Sequence, residues 1–457
     1  MKRGIAVTGA AFAALSLVVG TVRGQEAATD TLGLRDAIAT ALIHNPAVAR
    51  AEANAATAAA NRWADWGALL PSASVSASLS RSDFTTITFP NPDGTTSILA
   101  DPIEDYSRAN SAGLGLSLQL SAETFTGIDA GGEQRSAADY RLSAAQVDVV
   151  RQVKLAYFDA LKQQRLVDVA RRQLESRREE YSLTQQKYRI AAADRSALLG
   201  AEIELRNAEL AVLDAEDALA AAVRALRVAQ GVDRMDVTDV ALVDPASIPD
   251  ADALDVGALL DAARRANPEL RALAADERAA SSELWSARAS YLPTLNVNMN
   301  FNRSRQLGDD EGRFTFSPVN TNRGFTIGLN WPLFNGFQRK TRNAQASNNL
   351  TIARAALSEQ ELMLEQDLRR IVADIRRGDR RLDVLARNAE LARERLELTR
   401  EGYRVGSVDY PVLQQTIEAV DSAERAVFEA RYELLKQWAE LESRVGDEAG
   451  SRVGAEP

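Results

Sequence analysis

Few residues in this chain have the type and spacing needed for chemistry at a reactive site. His44 is the single histidine and cysteine is absent, so neither a metal site nor a catalytic pair can be built around it, and a surface or capping role is expected. Paired arginines such as Arg171 and Arg172 are interleaved with acidic residues at helical spacing, which is typical of a solvated helix face. The sequence predicts no enzyme, no cofactor and no metal site.

The N-terminus and the charge indicate an exported protein that does not bind nucleic acid. Lys2 and Arg3 precede an apolar run that is shorter than the roughly 20 residues of a spanning helix, so residues 1–24 are predicted to be a signal peptide. The remainder of the 457-residue chain has 51 basic and 64 acidic residues, a net charge near −13. This acidic balance argues against a nucleic-acid partner.

Apolar and polar residues alternate in four short stretches. Their length and pattern are typical of strands that cross an outer membrane, with apolar side chains toward lipid and polar ones toward a lumen. The apolar positions run from Ala73 to Leu79, Leu114 to Leu120, Leu295 to Phe301 and Phe325 to Trp331, and the residues predicted to face the lumen are Ser74, Ser76, Asn296, Asn298 and Asn300. A closed barrel needs about eight strands or more. Several copies of the chain must therefore supply strands to one barrel.

The sequence is a tandem duplication. A shift of 222 residues places Asn45-Pro46 on Asn267-Pro268, and further along a shift of 215 places Tyr188-Arg189 on Tyr403-Arg404. The first copy, 31–231, is predicted to contain helices within 34–70, strands at 72–82 and 112–121, a long helix at 123–189 and a helix at 195–230. The second copy, 254–446, is predicted to contain helices within 255–291, strands at 294–304 and 323–332, a long helix at 335–404 and a helix at 410–445. Residues 232–253 are predicted to be an equatorial linker and 447–457 a flexible tail.

The helices are unusually long. No proline lies between Pro102 and Pro245 or between Pro332 and Pro411, so a helix of roughly 69 residues, on the order of 100 Å, can form without a break. Heptad spacing in both copies predicts antiparallel coiled-coil pairs. The predicted fold class is mainly α, with a transmembrane β hairpin in each copy.

These residues resemble the TolC-like outer-membrane efflux protein family over about residues 31 to 446. The resemblance rests on Leu32 to Ile38 leading to Asn45-Pro46, on the Leu-Pro pairs that enter strands, and on the junction Trp331 to Gly336 between strand and long helix. It implies a homotrimer whose twelve-stranded barrel, four strands per chain, lies in the outer membrane of a Gram-negative-type cell and continues as a long periplasmic α-helical barrel. It also implies a passive exit duct for efflux or type I secretion, docked onto a periplasmic adaptor (membrane-fusion) protein and an inner-membrane pump.

The resemblance places the adaptor-docking tips at the two helix–helix turns. The corresponding residues are Tyr188, Arg189, Ala191 and Asp194 in the first copy and Tyr403, Arg404, Gly406 and Asp409 in the second. Ala191 stands where the second turn has Gly406, so the two docking surfaces are expected to differ in shape. An aspartate pair that narrows the aperture in some members has no counterpart in 411–415. Asp194, Asp409 and Gln414 are the substitutes here, although both aspartates are also suited to helix capping.

A non-conducting coiled-coil stalk that spans the periplasm is the alternative function. It accounts for the helices but not for the four alternating strands. Among the tryptophans, Trp331 is a candidate for an interfacial aromatic belt. Trp63 and Trp285, which come shortly before strands, are instead expected to pack against the long helices.

Overall fold

The computed structural model describes residues 30–84, 88–98, 105–191, 193–232, 240–244, 248–307 and 320–446. The signal peptide and the tail predicted from the sequence lie outside these ranges. The first copy comprises β1 (Asp30–Leu32), α1 (Leu34–His44), α2 (Pro46–Gly67), β2 (Ser72–Phe84), β3 (Thr88–Pro90), β4 (Thr96–Ile98), β5 (Asp105–Leu120), α3 (Ala122–Arg189) and α4 (Arg195–Gln230). After β6 (Val240–Leu242), the second copy comprises α5 (Val256–Ala266), α6 (Pro268–Ala289), β7 (Thr294–Leu307), β8 (Asn320–Asn330), α7 (Gln338–Val405) and α8 (Tyr410–Val445).

The four helices of one copy have the same lengths as their counterparts in the other. They contain 11, 22, 68 and 36 residues in each case. The long helices α3 and α7, at 68 residues each, extend on the order of 100 Å at 1.5 Å per residue. None of the helices in the described ranges is both long enough and apolar enough to span a membrane.

The Asn-Pro motif has the same structural role in both copies. Asn45 Oδ1 accepts a hydrogen bond from the Ala47 amide at 2.8 Å, while its Nδ2 donates to the Ala229 carbonyl at 2.8 Å. Asn267 caps α6 in the same way and donates to the Arg444 carbonyl at 2.9 Å. Both asparagines are buried. The second hydrogen bond of each one ties the start of its helix to the C-terminal end of the last helix in its own copy.

The strands form a four-stranded antiparallel sheet in the order β2-β5-β7-β8, so the hairpins of the two copies lie side by side. The strands reach beyond the predicted bounds: β2 ends at Phe84, β5 begins at Asp105 rather than 112, β7 ends at Leu307, and β8 begins at Asn320 rather than 323. Alternation of side chains marks only the part of a strand that has an apolar face. The backbone hydrogen bonds between the strands continue beyond the part that has an apolar face.

The start of α7 was also predicted too early, at residue 335. Gly336 and Phe337 both have left-handed backbone angles, with φ of 65° and 67°, and the helix begins only at Gln338. A turn of this hand cannot belong to a right-handed helix. The junction therefore turns the chain sharply between β8 and α7.

The main core lies among the helices, away from the sheet. Tyr157 and Tyr432 are fully buried there, among aliphatic residues of α1, α3, α4 and α8. The Tyr157 hydroxyl lies 2.9 Å from the Leu32 carbonyl and accepts a hydrogen bond from the Val243 amide at 3.0 Å. These contacts hold the parallel pair β1 and β6 against α3, so part of the equatorial linker is fixed to the long helix.

Candidate functional site

The register of the sheet gathers the apolar residues of all four strands onto one face. Leu114 lies opposite Phe301, Leu116 opposite Met299, and Val297 opposite Ile327. This face is uncovered in the single chain, where Val75 is 83% and Phe325 66% exposed. An apolar surface of this kind requires a non-aqueous neighbour.

Within residues 72–81, 109–120, 294–305 and 320–330, the opposite face is polar and has no charged residue. Ser74, Gly115, Asn300 and Gly324 form one row across it, and Ser76, Asn296 and Asn298 share the same face. A Cβ on Gly324 would lie 2.3 Å from Asn300 Oδ1, and one on Gly115 would lie 3.0 Å from Ser74 Oγ. The serine and asparagine side chains therefore lie over neighbouring glycines. All five residues predicted to face a lumen are thus on one wall without charge.

Two tryptophans that were expected to pack against the long helices are exposed instead. Trp63 is 81% and Trp285 61% exposed, so neither packs against a long helix of its own chain. In the first copy, α2 approaches α3 so closely that a Cβ on Gly131 would overlap the Asp65 carboxylate. That contact is made by a glycine of α3 and an aspartate of α2, not by the tryptophan. Trp331 is exposed and donates from Nε1 to the Tyr291 carbonyl at 3.0 Å.

The two aspartates at the tips have different environments. Asp194 accepts a hydrogen bond from the Ala197 amide at 2.7 Å, which is the capping role that the sequence left open for it. Asp409 is exposed and makes no capping hydrogen bond with its side chain. Gln414 is half-buried and donates to Glu418 Oε1 at 3.2 Å. Of the two aspartates among the aperture candidates, Asp194 caps a helix and Asp409 does not.

The backbones of the two turns have the same hand. Ala191 has φ of 56° and Gly406 has φ of 82°, so both occupy the left-handed region. Alanine is strained there by about 1 kcal/mol or more, whereas glycine is not. The replacement of glycine by alanine therefore does not change the backbone conformation of the first turn, and the expected difference in shape between the two turns is not seen there.

A larger difference between the tips is the burial of their tyrosines. Tyr188 is 41% exposed, whereas Tyr403, predicted to lie on a docking surface, is only 5% exposed. The Tyr403 hydroxyl is 3.2 Å from Thr184 Oγ1, and the Lys187 ammonium lies over its ring and donates to its carbonyl. Tyr403 therefore packs between α7 and α3. It is not part of an exposed surface.

A buried charged cluster lies farther along α3 from the same tip. Arg177 is 5% and Glu180 6% exposed. The Arg177 guanidinium is 3.3 Å from Glu180 Oε2 and 3.5 Å from Asp421 Oδ2 on α8. Burial raises the pKa of both Glu180 and Asp421, an effect that the Arg177 charge opposes. Sequence reasoning missed this cluster because arginine and glutamate pairs at helical spacing are usually solvated.

Two further polar contacts tie α3 to the second copy near the tips. Arg400 on α7 donates to Ser176 Oγ at 2.5 Å, and Arg425 on α8 donates to Gln173 Oε1 at 3.0 Å. Together with Arg177 and Lys187 they form a set of cross-links that we call the tip latch. A cleft of about 310 Å³ between α3, α7 and α8 opens beside it and is lined partly by Glu179, Glu397 and Arg404.

Residues 37–232 and 259–447 match the family model described as outer membrane efflux protein. The chain belongs to the outer membrane efflux protein family. Membership confirms the resemblance found in the sequence, together with the outer-membrane location and the efflux function. The family assignment favours the duct over the stalk alternative, which left the strands unexplained.

Similar proteins support this assignment. The chain is 24% identical over 330 residues to the alkaline protease secretion protein AprF of Pseudomonas aeruginosa, covering 72% of this chain and 68% of AprF. It is 21% identical over 340 residues to the outer membrane protein TolC of Vibrio cholerae, covering 74% and 76%. The crystal structure of the CmeC outer membrane channel of Campylobacter jejuni has the same fold, with a TM-score of 0.76 at 17% identity over 90% of this chain and 85% of CmeC.

Proposed function

We propose that three copies of this outer membrane efflux protein form a passive exit duct, whose barrel consists of their combined sheets. The observation that carries the proposal is the sheet itself, which has one uncovered apolar face and, opposite the apolar band, a polar face without charged residues. In the described residues its outer strands are β2 and β8, each paired on one side only. These two strands run antiparallel to each other, so β8 of one copy can pair with β2 of the next and continue the alternation. Closure in this way leaves no open edge in the membrane.

The polar face then lines the lumen, and the helix pairs continue it through the periplasm. Ser74, Ser76, Asn296, Asn298 and Asn300 form a wall that offers no charge to bind a passing solute. Such a lining favours conduction over recognition, so we assign substrate choice to an inner-membrane pump. The similarity to AprF, which is named for protease secretion, supports type I secretion as one use of the duct; the similarity to the CmeC channel is to its fold alone.

We place the adaptor contacts on exposed residues of the two tips, among them Tyr188, Arg189, Arg404 and Asp409. The tip latch holds α3 against α7 and α8 in the closed duct. Docking of the adaptor's helical hairpins beside the latch would separate these helices and widen the aperture. In this scheme Tyr403 acts inside the latch through its contacts with Thr184 and Lys187, and not on the docking surface.

The oligomer can be tested by cross-linking because the chain has no cysteine of its own. A cysteine at Ser76 on β2, combined in turn with cysteines at 320–328 on β8, should give disulfide-linked ladders that end at three chains when the register is correct. The same scan with the first cysteine on the central strand β5 is the control and should give no link between chains. Ladders that end at two chains, or none at any register, would contradict the proposed barrel.

Conduction is tested with the purified protein in planar bilayers. We expect stepwise ion currents from heat-modifiable oligomers extracted from the outer-membrane fraction. A protein recovered only as a soluble periplasmic species, with no current at any voltage tried, would refute the duct.

A further inference from the structure

Along the part of the sheet that has an apolar face, the charged residues are all arginines and all on one face. Segments 72–81, 109–120, 294–305 and 320–330 contain four charged residues, and each is an arginine: Arg81, Arg303, Arg305 and Arg323. Arg323 pairs with Phe301, and Arg303 pairs with Ala112, both of which lie on the apolar face. Arg305 is two residues from Arg303 and Arg81 is two residues from Leu79, so each points to the same face as that neighbour. All four therefore lie on the apolar face. The polar face, where charge would be hydrated, has none in these segments.

The arginines mark the end of the apolar band on the side away from the helices. Arg81 follows Leu79 along β2, Arg303 follows Phe301 along β7, and Arg323 precedes Phe325 along β8. The strand pairing gives the level of each arginine relative to the helices. Arg323 on β8 is the nearest to the helices, Arg303 on β7 is farther away, and Arg81 on β2 is the farthest. A membrane plane crosses tilted barrel strands along a diagonal of this kind. At such a boundary an outward arginine costs about 0–1 kcal/mol, against roughly 2–4 kcal/mol at the midplane.

Two of the arginines share one aromatic ring. The Arg303 guanidinium lies 5.8 Å and that of Arg323 5.4 Å from the centre of the Phe301 ring. Arg303 and Arg323 are diagonal neighbours on adjacent strands, which places their Cβ atoms about 7–8 Å apart or slightly less. Both side chains are exposed. The ring thus holds two cations side by side, an arrangement that an anion between them would stabilise.

We propose that Arg303 and Arg323, flanked by Arg81 and Arg305, bind the phosphate groups of a phosphorylated glycolipid in the outer leaflet of the outer membrane. This inference rests on the proposed function, since it requires that the apolar face contacts lipid. The guanidinium fork matches phosphate oxygens in pairs, as the lysine ammonium does not. A dianionic phosphate monoester balances two guanidinium groups. The four arginines lie at the end of the apolar band. A ligand that contacts both therefore has acyl chains along the band and phosphate groups beside the arginines.

Native mass spectrometry of the detergent-purified full chain tests the assignment, with bisphosphorylated lipid A as the probe. The probe should bind the wild type at least about tenfold more tightly than its dephosphorylated form (about 1.4 kcal/mol), and an excess of inorganic phosphate should not displace it. Arg303→Gln/Arg323→Gln should reduce affinity to that of the dephosphorylated form. Arg381→Gln/Arg395→Gln removes the same charge from exposed positions on α7 and should leave binding unchanged.

The other outcomes each decide against the assignment. Equal binding of phosphorylated and dephosphorylated lipid, or retained binding in Arg303→Gln/Arg323→Gln, would overturn it, and so would equal binding of phosphatidylglycerol or displacement by free phosphate. Should the double variant fail to assemble, Arg323→Lys keeps the charge but loses the fork, and it must still weaken binding several-fold. Bilayer conductance separates this proposal from the duct, because the glutamine variant should conduct normally even after it has lost the glycolipid.

Discussion

Replacement of Arg177 by methionine is expected to open the tips. The arginine is buried between Glu180 and Asp421, and the substitution leaves the Glu180 carboxylate, whose side chain is only 5% exposed, without its cation. Removal of one partner from a buried ion pair costs roughly 3–5 kcal/mol. Because Glu180 can take up a proton instead, we expect about 3 kcal/mol, at the lower end of that range.

This cost falls on the closed arrangement alone, since separation of α3 from α8 returns Glu180 to water. A change of about 3 kcal/mol corresponds to a shift of roughly 100-fold toward the open tips. Single-channel recording should therefore show a large rise in the open fraction without adaptor. Arg178→Met is the matched control, because Arg178 is exposed and its pair with Glu175 at 3.5 Å lies within one helix. Such surface pairs contribute about 0–1 kcal/mol.

The double variant Arg177→Met/Glu180→Gln should recover most of the closed state. It removes the more deeply buried of the two carboxylates that lose Arg177, whereas Asp421 keeps the nearby charge of Arg425. If Arg177→Met, assembled as the wild type is, conducts no more than Arg178→Met, the buried cluster is not part of the gate and the reasoning fails.

Three further predictions concern the tips. Asp409→Ala should raise resting conductance without changing the urea midpoint, whereas Asp194→Ala should lose about 1 kcal/mol of stability with its cap; the reverse pattern would exclude Asp409 from the aperture. Ala191→Gly should raise the urea midpoint by relieving about 1 kcal/mol of left-handed strain, and Gly406→Ala should lower it; equal midpoints would show that the turns are unstrained. Because burial raises the pKa of Glu180, the folded tip binds its proton more tightly than the unfolded chain, so this stabilisation is present below the ordinary glutamate pKa and is lost as pH rises through the raised value. Resting conductance should accordingly be lower near pH 5 than near pH 8, and Glu180→Gln should reduce the difference to the part that Asp421 contributes; a wild type insensitive to pH would contradict this.

Local signals in the sequence were sufficient to predict the repeated architecture. Asn45 and Asn267 mark equivalent caps, and strict alternation locates the part of each strand with an apolar face. Long stretches free of proline allow the 68-residue helices to form. In each case the physical cause acts within a few residues, so the sequence records it directly.

The contacts near the tips depend instead on which helices come together. Arg177 and Arg178 are neighbours of the same type, yet one is buried against α8 and the other is in water. Tyr188 and Tyr403 occupy equivalent positions of the repeat, yet only Tyr403 is covered, by Thr184 and Lys187. Burial of this kind is decided by the packing of one copy against the other, and a pattern confined to one helix does not contain it.

The central claim, that the polar face of the sheet lines the conduit, is tested most directly by neighbouring cysteines on opposite faces of β7. Asn298→Cys and Met299→Cys are adjacent in sequence, both exposed, and introduced into a chain without other thiols. A bulky, charged thiol reagent added to single channels should reduce the current through Asn298→Cys and leave Met299→Cys unchanged. Block at Met299→Cys alone, or at neither position after complete labelling, would contradict the account.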